Sequence, residues 1–471
     1  MTSAAPSVPA RRPTSDVSAA VGLLGLAGLA AWILICRSWP DIVAAFDLLG
    51  PRERMSGPNA ALTGLVMAAL PMVIYSLVVE KVHLRASTGL DWNAAKTRKP
   101  ELGRVAIKVV GIWATFASLA LLYWLGRWYW EGGYQFSLVI LAFWAIPLAV
   151  MAVPYIAWLD RAMVHPRDAS WHFGAMLLRA PGWEKEQVLK HIRAWTIKGF
   201  FTAFMVSIVP GGFANIVNAD FGVIASDPVR LGVMLFELLF VIDVQIGTVG
   251  YILTMRPLDA HIRSGNPFLA GWLAALICYP PFVWGIIGNG LVLNYENHTA
   301  DWGYWLSGSD TLLWVWMAWL VLLTAIYAWA TVVFGIRFSN LTYRGVITHG
   351  PYRWTRHPAY LSKNLFWWFT AMPFLVTNDS TSDAVRNTAC LLIVNAIYFW
   401  RAKTEEAHLL REDQKYRDYH AWMARHGPIT APMTRIGEWL KGQWRPVTAD
   451  GVASGEPQTA PQRSGTPSSV S

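Results

Sequence analysis

The chain has 471 residues, of which 54% are hydrophobic and only 15% charged. Soluble globular proteins run nearer a quarter charged, so the composition excludes a purely soluble enzyme and points to a polytopic membrane protein. The 39 basic and 30 acidic residues leave a net charge of +9, an excess that suits loops facing anionic lipid better than nucleic-acid binding.

Residues 1–16 are rich in Ser, Ala and Pro and read as a disordered tail. Arg11-Arg12 precedes an apolar run, but neither an export motif nor a small-residue cleavage site follows. The stretch 17–36 is therefore expected to be a retained first span. Further apolar stretches follow at 60–79, 105–125, 137–159, 199–217, 229–253, 268–293, 311–335, 361–376 and 384–400. A helix needs about 20 apolar residues to cross the hydrocarbon core, so the last two are short. Prolines at 71, 147, 210, 280, 281 and 373 fall inside these stretches, where membrane helices tolerate kinks.

Lys and Arg concentrate in the connections on one side, around 80–104, 160–198, 254–267 and 336–360, with Lys363 counted there. The opposite connections 294–310 and 377–383 hold none. Cytoplasmic loops carry the basic excess, so the expected fold is an all-α polytopic integral membrane protein of about ten transmembrane helices, both termini cytoplasmic. Within 160–198, Val188, Ile192 and Trp195 recur at helical spacing against Lys185, Lys190 and Arg193. That pattern predicts a helix lying on the membrane surface.

Glu237, Asp243 and Gln245 lie in the stretch 229–253, and Asn289 in the next. Intramembrane carboxylates are either functional, as proton relays or ligand contacts, or polar glue between helices. The spacing of Glu237 and Asp243, about 600° of helical rotation, keeps them on different faces. Cys36, Cys278 and Cys390 sit in apolar runs and form no CxxC pair, so no disulfide framework is expected. His165, His172 and His261 lack ligand spacing, and no metal site is expected. Residues 17–300 thus form an N-terminal transmembrane region without an evident role, and 446–471, rich in Pro, Gly, Ser and Thr, read as a second disordered tail.

The segments that carry chemistry come late. Gly350-Pro351-Tyr352-Arg353-Trp354-Thr355-Arg356-His357-Pro358-Ala359-Tyr360 precedes the short ninth stretch. Arg401-Ala402-Lys403-Thr404-Glu405-Glu406 follows the tenth and runs into a helix with Tyr416 and Tyr419 one turn apart. Arg356-His357-Pro358 sets a fixed cation and a titratable imidazole beside a residue that ends regular helix. Arg401 and Glu405 share a face at i, i+4, while Glu406 points about 100° away. A hairpin of two short helices brings both segments to one cytoplasmic edge. Carboxylates there suit an amino or ribose group, an Arg suits a carboxylate, and the site takes a charged amphipathic cofactor beside lipid. The same residues also read as ordinary juxtamembrane basic decoration.

This pattern resembles the isoprenylcysteine carboxyl methyltransferase and phospholipid methyltransferase superfamily, marked by a GxYxxxRHPxY segment, an Arg followed by a Glu-Glu pair after a helical hairpin, and a Tyr-rich amphipathic helix. Gly350, Tyr352, Arg356, His357, Pro358 and Tyr360 fill the first motif, and Arg401, Glu405 and Glu406 the second. Tyr416 and Tyr419 fit the third, and the likeness spans 311–428. It implies a membrane methyltransferase using S-adenosylmethionine from the cytosolic side, without a metal. By carry-over, Tyr352, His357, Pro358, Tyr360, Glu405 and Glu406 line the cofactor pocket, and Arg356 and Arg401 orient cofactor or substrate. Ser362 stands where the family has a small Gly, and Glu412-Asp413-Gln414 where it has Phe-Gly.

The implied acceptor is an isoprenylcysteine carboxylate or another membrane lipid or lipophilic small molecule, with phospholipid amine or thiol methylation as alternatives. A sterol-type NADPH-dependent C=C reductase is a rival of similar fold, against which the Glu405-Glu406 pair counts, since those enzymes carry Arg-Asp there. A transporter or scaffold worked by Glu237 and Asp243 is the non-enzymatic rival.

Overall fold

A computed structural model of the chain describes residues 9–129, 133–288 and 292–443. It is mostly helical. Six of the described helices are long and apolar enough to cross a membrane: Ala19–Arg37, Pro58–Val78, Leu102–Leu125, Gln135–Ala162, Lys185–Asn218 and Asp310–Val332. A seventh long helix, Pro228–Ile252, carries Glu237 and Asp243 and packs against both Lys185–Asn218 and Asp310–Val332.

The core joins the first helix to the rest. Ala19–Arg37 packs on Pro58–Val78 with backbones close together. A Cβ added at Gly22 would lie 2.0 Å from the Val332 carbonyl oxygen, so only glycine lets the first helix reach Asp310–Val332. Without a strong hydrophobic drive in lipid, such close approach by small residues is what holds membrane helices together. Leu29, Cys36, Met72, Phe213 and Ile246 fill the space between.

Four sequence expectations change. The surface helix predicted within 160–198 is instead the start of one 34-residue helix, Lys185–Asn218. No breaker separates Lys198 from Gly199, and Val188 and His191 are buried against the short helix Ala169–Leu177. The apolar stretch 268–293 is not one span: it breaks into Leu269–Leu276 and Phe282–Ile286 around Pro280-Pro281, two consecutive residues without backbone N–H groups. Asn289 lies outside the described residues. The ninth stretch becomes Pro358–Ala371, at 14 residues too short to cross alone. The tenth extends into a continuous 32-residue helix, Thr381–Glu412, which carries Arg401, Glu405 and Glu406 beyond the apolar run.

The end of the expected N-terminal tail is held against the C-terminal part. Asp16 Oδ1 accepts from Lys415 Nζ at 2.5 Å and its Oδ2 from the Val346 N–H at 2.7 Å. Thr348 Oγ1 donates to the Pro13 carbonyl at 2.8 Å. Lys415 and the Val346 N–H together hold the Asp16 carboxyl below its ordinary value, against the opposing effect of burial.

Two further joints tie residues 250–265 to 336–344. Ser264–Gly265 pairs antiparallel with Thr342–Tyr343, Ser264 opposite Tyr343. Arg344 is buried, and its guanidinium donates to the carbonyls of Gly250, Leu253, Ala260, Ile336 and Phe338. Burial, reinforced by nearby Arg337, pushes its pKa down to about 9.

Candidate functional site

Local backbone geometry explains the first motif. Gly350 has φ +59°, and a Cβ there would meet Val333 Cγ1 at 2.6 Å, so the turn opening the motif needs glycine. A single 3-10 turn, Gly350–Arg353, follows. Pro358 occupies the first turn of Pro358–Ala371, where its missing N–H costs nothing. His357 is the N-cap, but its side chain makes no capping bond. The ring is therefore left free for other partners.

Those partners come from Thr381–Glu412. His357 Nε2 and Arg356 Nε each lie 3.0 Å from Glu406 Oε1. Lys403 Nζ lies 2.7 Å and His420 Nε2 3.7 Å from Glu406 Oε2. Burial alone would favour the protonated acid, yet the hydrogen bonds from His357 and His420 and the charges of His357 and Arg356 hold the Glu406 carboxyl far below the ordinary carboxylate range. Glu406 is a buried anion that fixes the motif from behind.

Glu405 serves the other side. Its Oε1 accepts from the Tyr360 hydroxyl and from Arg401 Nε, the latter at 3.3 Å. Arg401 in turn donates to Asn340 Oδ1 at 2.9 Å and the Tyr279 hydroxyl at 3.4 Å. Its guanidinium lies 5.0 Å from the Tyr360 ring centroid and 5.2 Å from that of Tyr279. His357 stacks on Tyr360, with centroids 5.7 Å apart and planes 10° off parallel. Two adjacent helix positions, about 100° apart, thus split the work: Glu405 faces Arg401 and Tyr360, and Glu406 faces Arg356 and His357.

These groups surround a cavity of about 370 Å³, within the usual size of small-molecule sites, ~300–1,000 Å³. Tyr352, Arg356, His357, Tyr360, Arg401 and Glu405 line it, with Tyr416 and Tyr419. Pro358 and Glu406 are not among its lining residues; Pro358 starts a helix and Glu406 clamps its neighbours. Burial raises the hydroxyl pKa of Tyr352, Tyr416 and Tyr419, keeping all three neutral donors. Tyr419 donates to the Tyr352 carbonyl at 2.6 Å. Arg356 Nη1 is buried and, among the described residues, has no hydrogen-bond partner.

The cavity also takes residues that the motifs do not reveal. Asn340 and Tyr279 hold Arg401 from irregular segments, which no periodicity marks. Lys363, counted among the loop cations by sequence, is instead within Pro358–Ala371 and faces the cavity. Its only signal was a lone cation in an apolar run. Of the two intramembrane carboxylates, Asp243 lines the cavity and accepts from Thr331 Oγ1. Glu237 does not line it and accepts from Asn215 Nδ2 at 2.5 Å.

Compared with known proteins, residues 311–411 match the model of the isoprenylcysteine carboxyl methyltransferase (ICMT) family. Both polar motifs fall inside that match, and Tyr416, Tyr419 and the N-terminal helices lie outside it. No curated protein and no solved structure matches the chain.

Proposed function

We propose that the chain is an integral membrane methyltransferase that uses S-adenosylmethionine and acts on a lipidic or small lipophilic acceptor. The carrying observation is the convergence of Tyr352, Arg356, His357, Tyr360, Arg401 and Glu405 on one cavity, in a segment that matches the ICMT family. The unpartnered Arg356 Nη1 fits the cofactor's carboxylate, because a buried guanidinium donor left unmade is costly. Glu405 accepts from the cofactor's amino or ribose groups while Tyr360 steadies it. His357, fixed by Glu406, presents an imidazole to the same space.

When bound, the cofactor supplies a methyl group carried on a positively charged sulfur. The chain's own work is to hold, orient and exclude water. Arg401, anchored by Asn340 and Glu405, orients the acceptor or the cofactor at the boundary between them. Pro358 keeps His357 at the helix start. Both termini and the cavity mouth are cytoplasmic in this reading, with about ten apolar segments within or across the membrane, because Lys and Arg crowd that side.

The test is calorimetric titration of the full-length protein in detergent with S-adenosylmethionine, S-adenosylhomocysteine and, separately, NADPH. The first two are expected to bind and to raise thermal stability, as ligands of the folded state do. Binding of NADPH alone would point to a reductase, and silence with all three would leave a transporter or scaffold.

A further inference from the structure

Two opposite charges in the cavity have no role in holding the motif residues. Lys363 extends from Pro358–Ala371, and its Nζ lies 5.1 Å from the Trp367 ring centroid and 5.6 Å from those of Tyr327 and Tyr398. Among the described residues it forms no ion pair. Asp243 comes from Pro228–Ile252, outside the segment that matches a family. Its carboxylate accepts from the Thr331 and Tyr327 hydroxyls and, among the described residues, forms no ion pair either. Both line the cavity that holds the motif residues.

Charged side chains at membrane depth are costly and pair with one another or face a ligand path. Lys363 and Asp243 share a cavity and feel each other's charge across it, yet they form no contact ion pair. Three rings keep the ammonium ordered without a carboxylate in contact, and two hydroxyls keep the carboxylate ordered without a cation in contact. Each charge is thus held ready for a third party. A purely anionic head group would face Asp243 unscreened. A purely cationic one would face Lys363 and Arg401. A head that carries both charges satisfies both walls.

We propose that Lys363 and Asp243 form the head-group subsite for the methyl acceptor, and that the acceptor is an amphipath with a zwitterionic head. Its anionic group meets Lys363, its cationic group meets Asp243, and its apolar tail runs along Phe204, Ile208 and Phe240, which line the same cavity. This deepens the methyltransferase reading and rests on it. It also gives the N-terminal helices a task, since Asp243 and all three tail contacts come from them.

The test uses three single-chain probes of equal length with the full-length protein in maltoside micelles: N-dodecyl-N,N-dimethylglycine, dodecanoate and dodecyltrimethylammonium, each by calorimetry. The wild type is expected to bind the zwitterion at least about tenfold more tightly than either singly charged chain. Lys363→Met and Asp243→Asn are each expected to remove that preference, while Lys363→Arg keeps it. S-adenosylhomocysteine affinity, measured alongside, should stay unchanged in all three variants. Equal binding of the three probes by the wild type, or an undiminished preference in both Lys363→Met and Asp243→Asn, would overturn the proposal. The wild-type preference decides the matter even where a variant does not fold. Loss of S-adenosylhomocysteine binding by the wild type would instead remove the methyltransferase reading.

Discussion

His357 Nε2 and Glu406 Oε1 lie 3.0 Å apart, so a residue that does not reach the cavity fixes one that does. The same oxygen takes Arg356 Nε at 3.0 Å. Glu406→Gln should therefore weaken S-adenosylhomocysteine binding about tenfold, because it frees both neighbours without removing a direct contact. Calorimetry on the variant checks this, and unchanged affinity would separate Glu406 from the site.

Glu405 is reached by both the Tyr360 hydroxyl and Arg401. Glu405→Ala leaves the buried Arg401 without its carboxylate and should abolish measurable cofactor binding. Tyr360→Phe removes one hydrogen bond and keeps the ring between His357 and Arg401, so its loss should be the smaller, about 0.5–1.5 kcal/mol. The ranking of the two dissociation constants is the measurement, and a Tyr360→Phe defect as large as that of Glu405→Ala would contradict it.

How far the site was legible depends on the residue. Arg401 and Glu405 could be set on one face from their spacing alone, and their 3.3 Å contact follows from it. The 100° offset of Glu406 likewise sends it to a different pair of partners. Lys363 was misread because an apolar neighbourhood and a nearby basic loop give the same local signal for a loop cation and a cavity cation. Asn340 and Tyr279 reach Arg401 through tertiary packing of irregular chain, which carries no period. The Ser-, Ala- and Pro-rich start was read as disordered because composition measures apolar burial, whereas residues 13–16 are held by a few polar contacts to Val346, Thr348 and Lys415. The stretch 268–293 reads as a span by hydropathy, yet its paired prolines break it.

Asp16→Ala tests that N-terminal contact. It removes the acceptor for the Val346 N–H and for Lys415, and a net loss of about 1–3 kcal/mol is expected. Thermal unfolding in detergent should show it, with Lys415→Met giving a smaller shift because the backbone bond survives.

Arg344 spends its donors on five backbone carbonyls from residues 250–338. Arg344→Met should destabilise the protein by about 3 kcal/mol or more, since several buried carbonyls lose their partner together. Arg344→Lys should restore little, because three donors at one point cannot span a planar five-donor fork. A thermal midpoint for Arg344→Lys close to wild type would argue against this geometry.

Acid sensitivity has a defined sign. His408 is buried against Ser264 Oγ at 2.9 Å, and burial, with Arg193 and Arg411 nearby, pushes its pKa down to about 4. The unfolded chain takes up that proton near 6.5, so the contribution is whole above 6.5 and is lost as pH falls from there towards 4. His261, pushed down to about 2 chiefly by burial, acts in the same direction. Melting midpoints should drop across this window, and the drop should be shallower in His408→Gln. Glu406, held below its ordinary value, adds stability that fades only once the pH falls under about 4.3.

The Arg344 joint also bears on how such a chain can change over time. Three of its carbonyls belong to residues before 261, and two to residues after 335, within the segment that matches a family. A C-terminal fragment expressed by itself would leave that guanidinium only the Ile336 and Phe338 carbonyls, and so would a chimera that grafts this segment onto unrelated N-terminal helices. The family-like segment and the helices before it are therefore bound to travel as one heritable unit, and shuffling between relatives should succeed only where the seam carries Arg344 and its carbonyl cradle together.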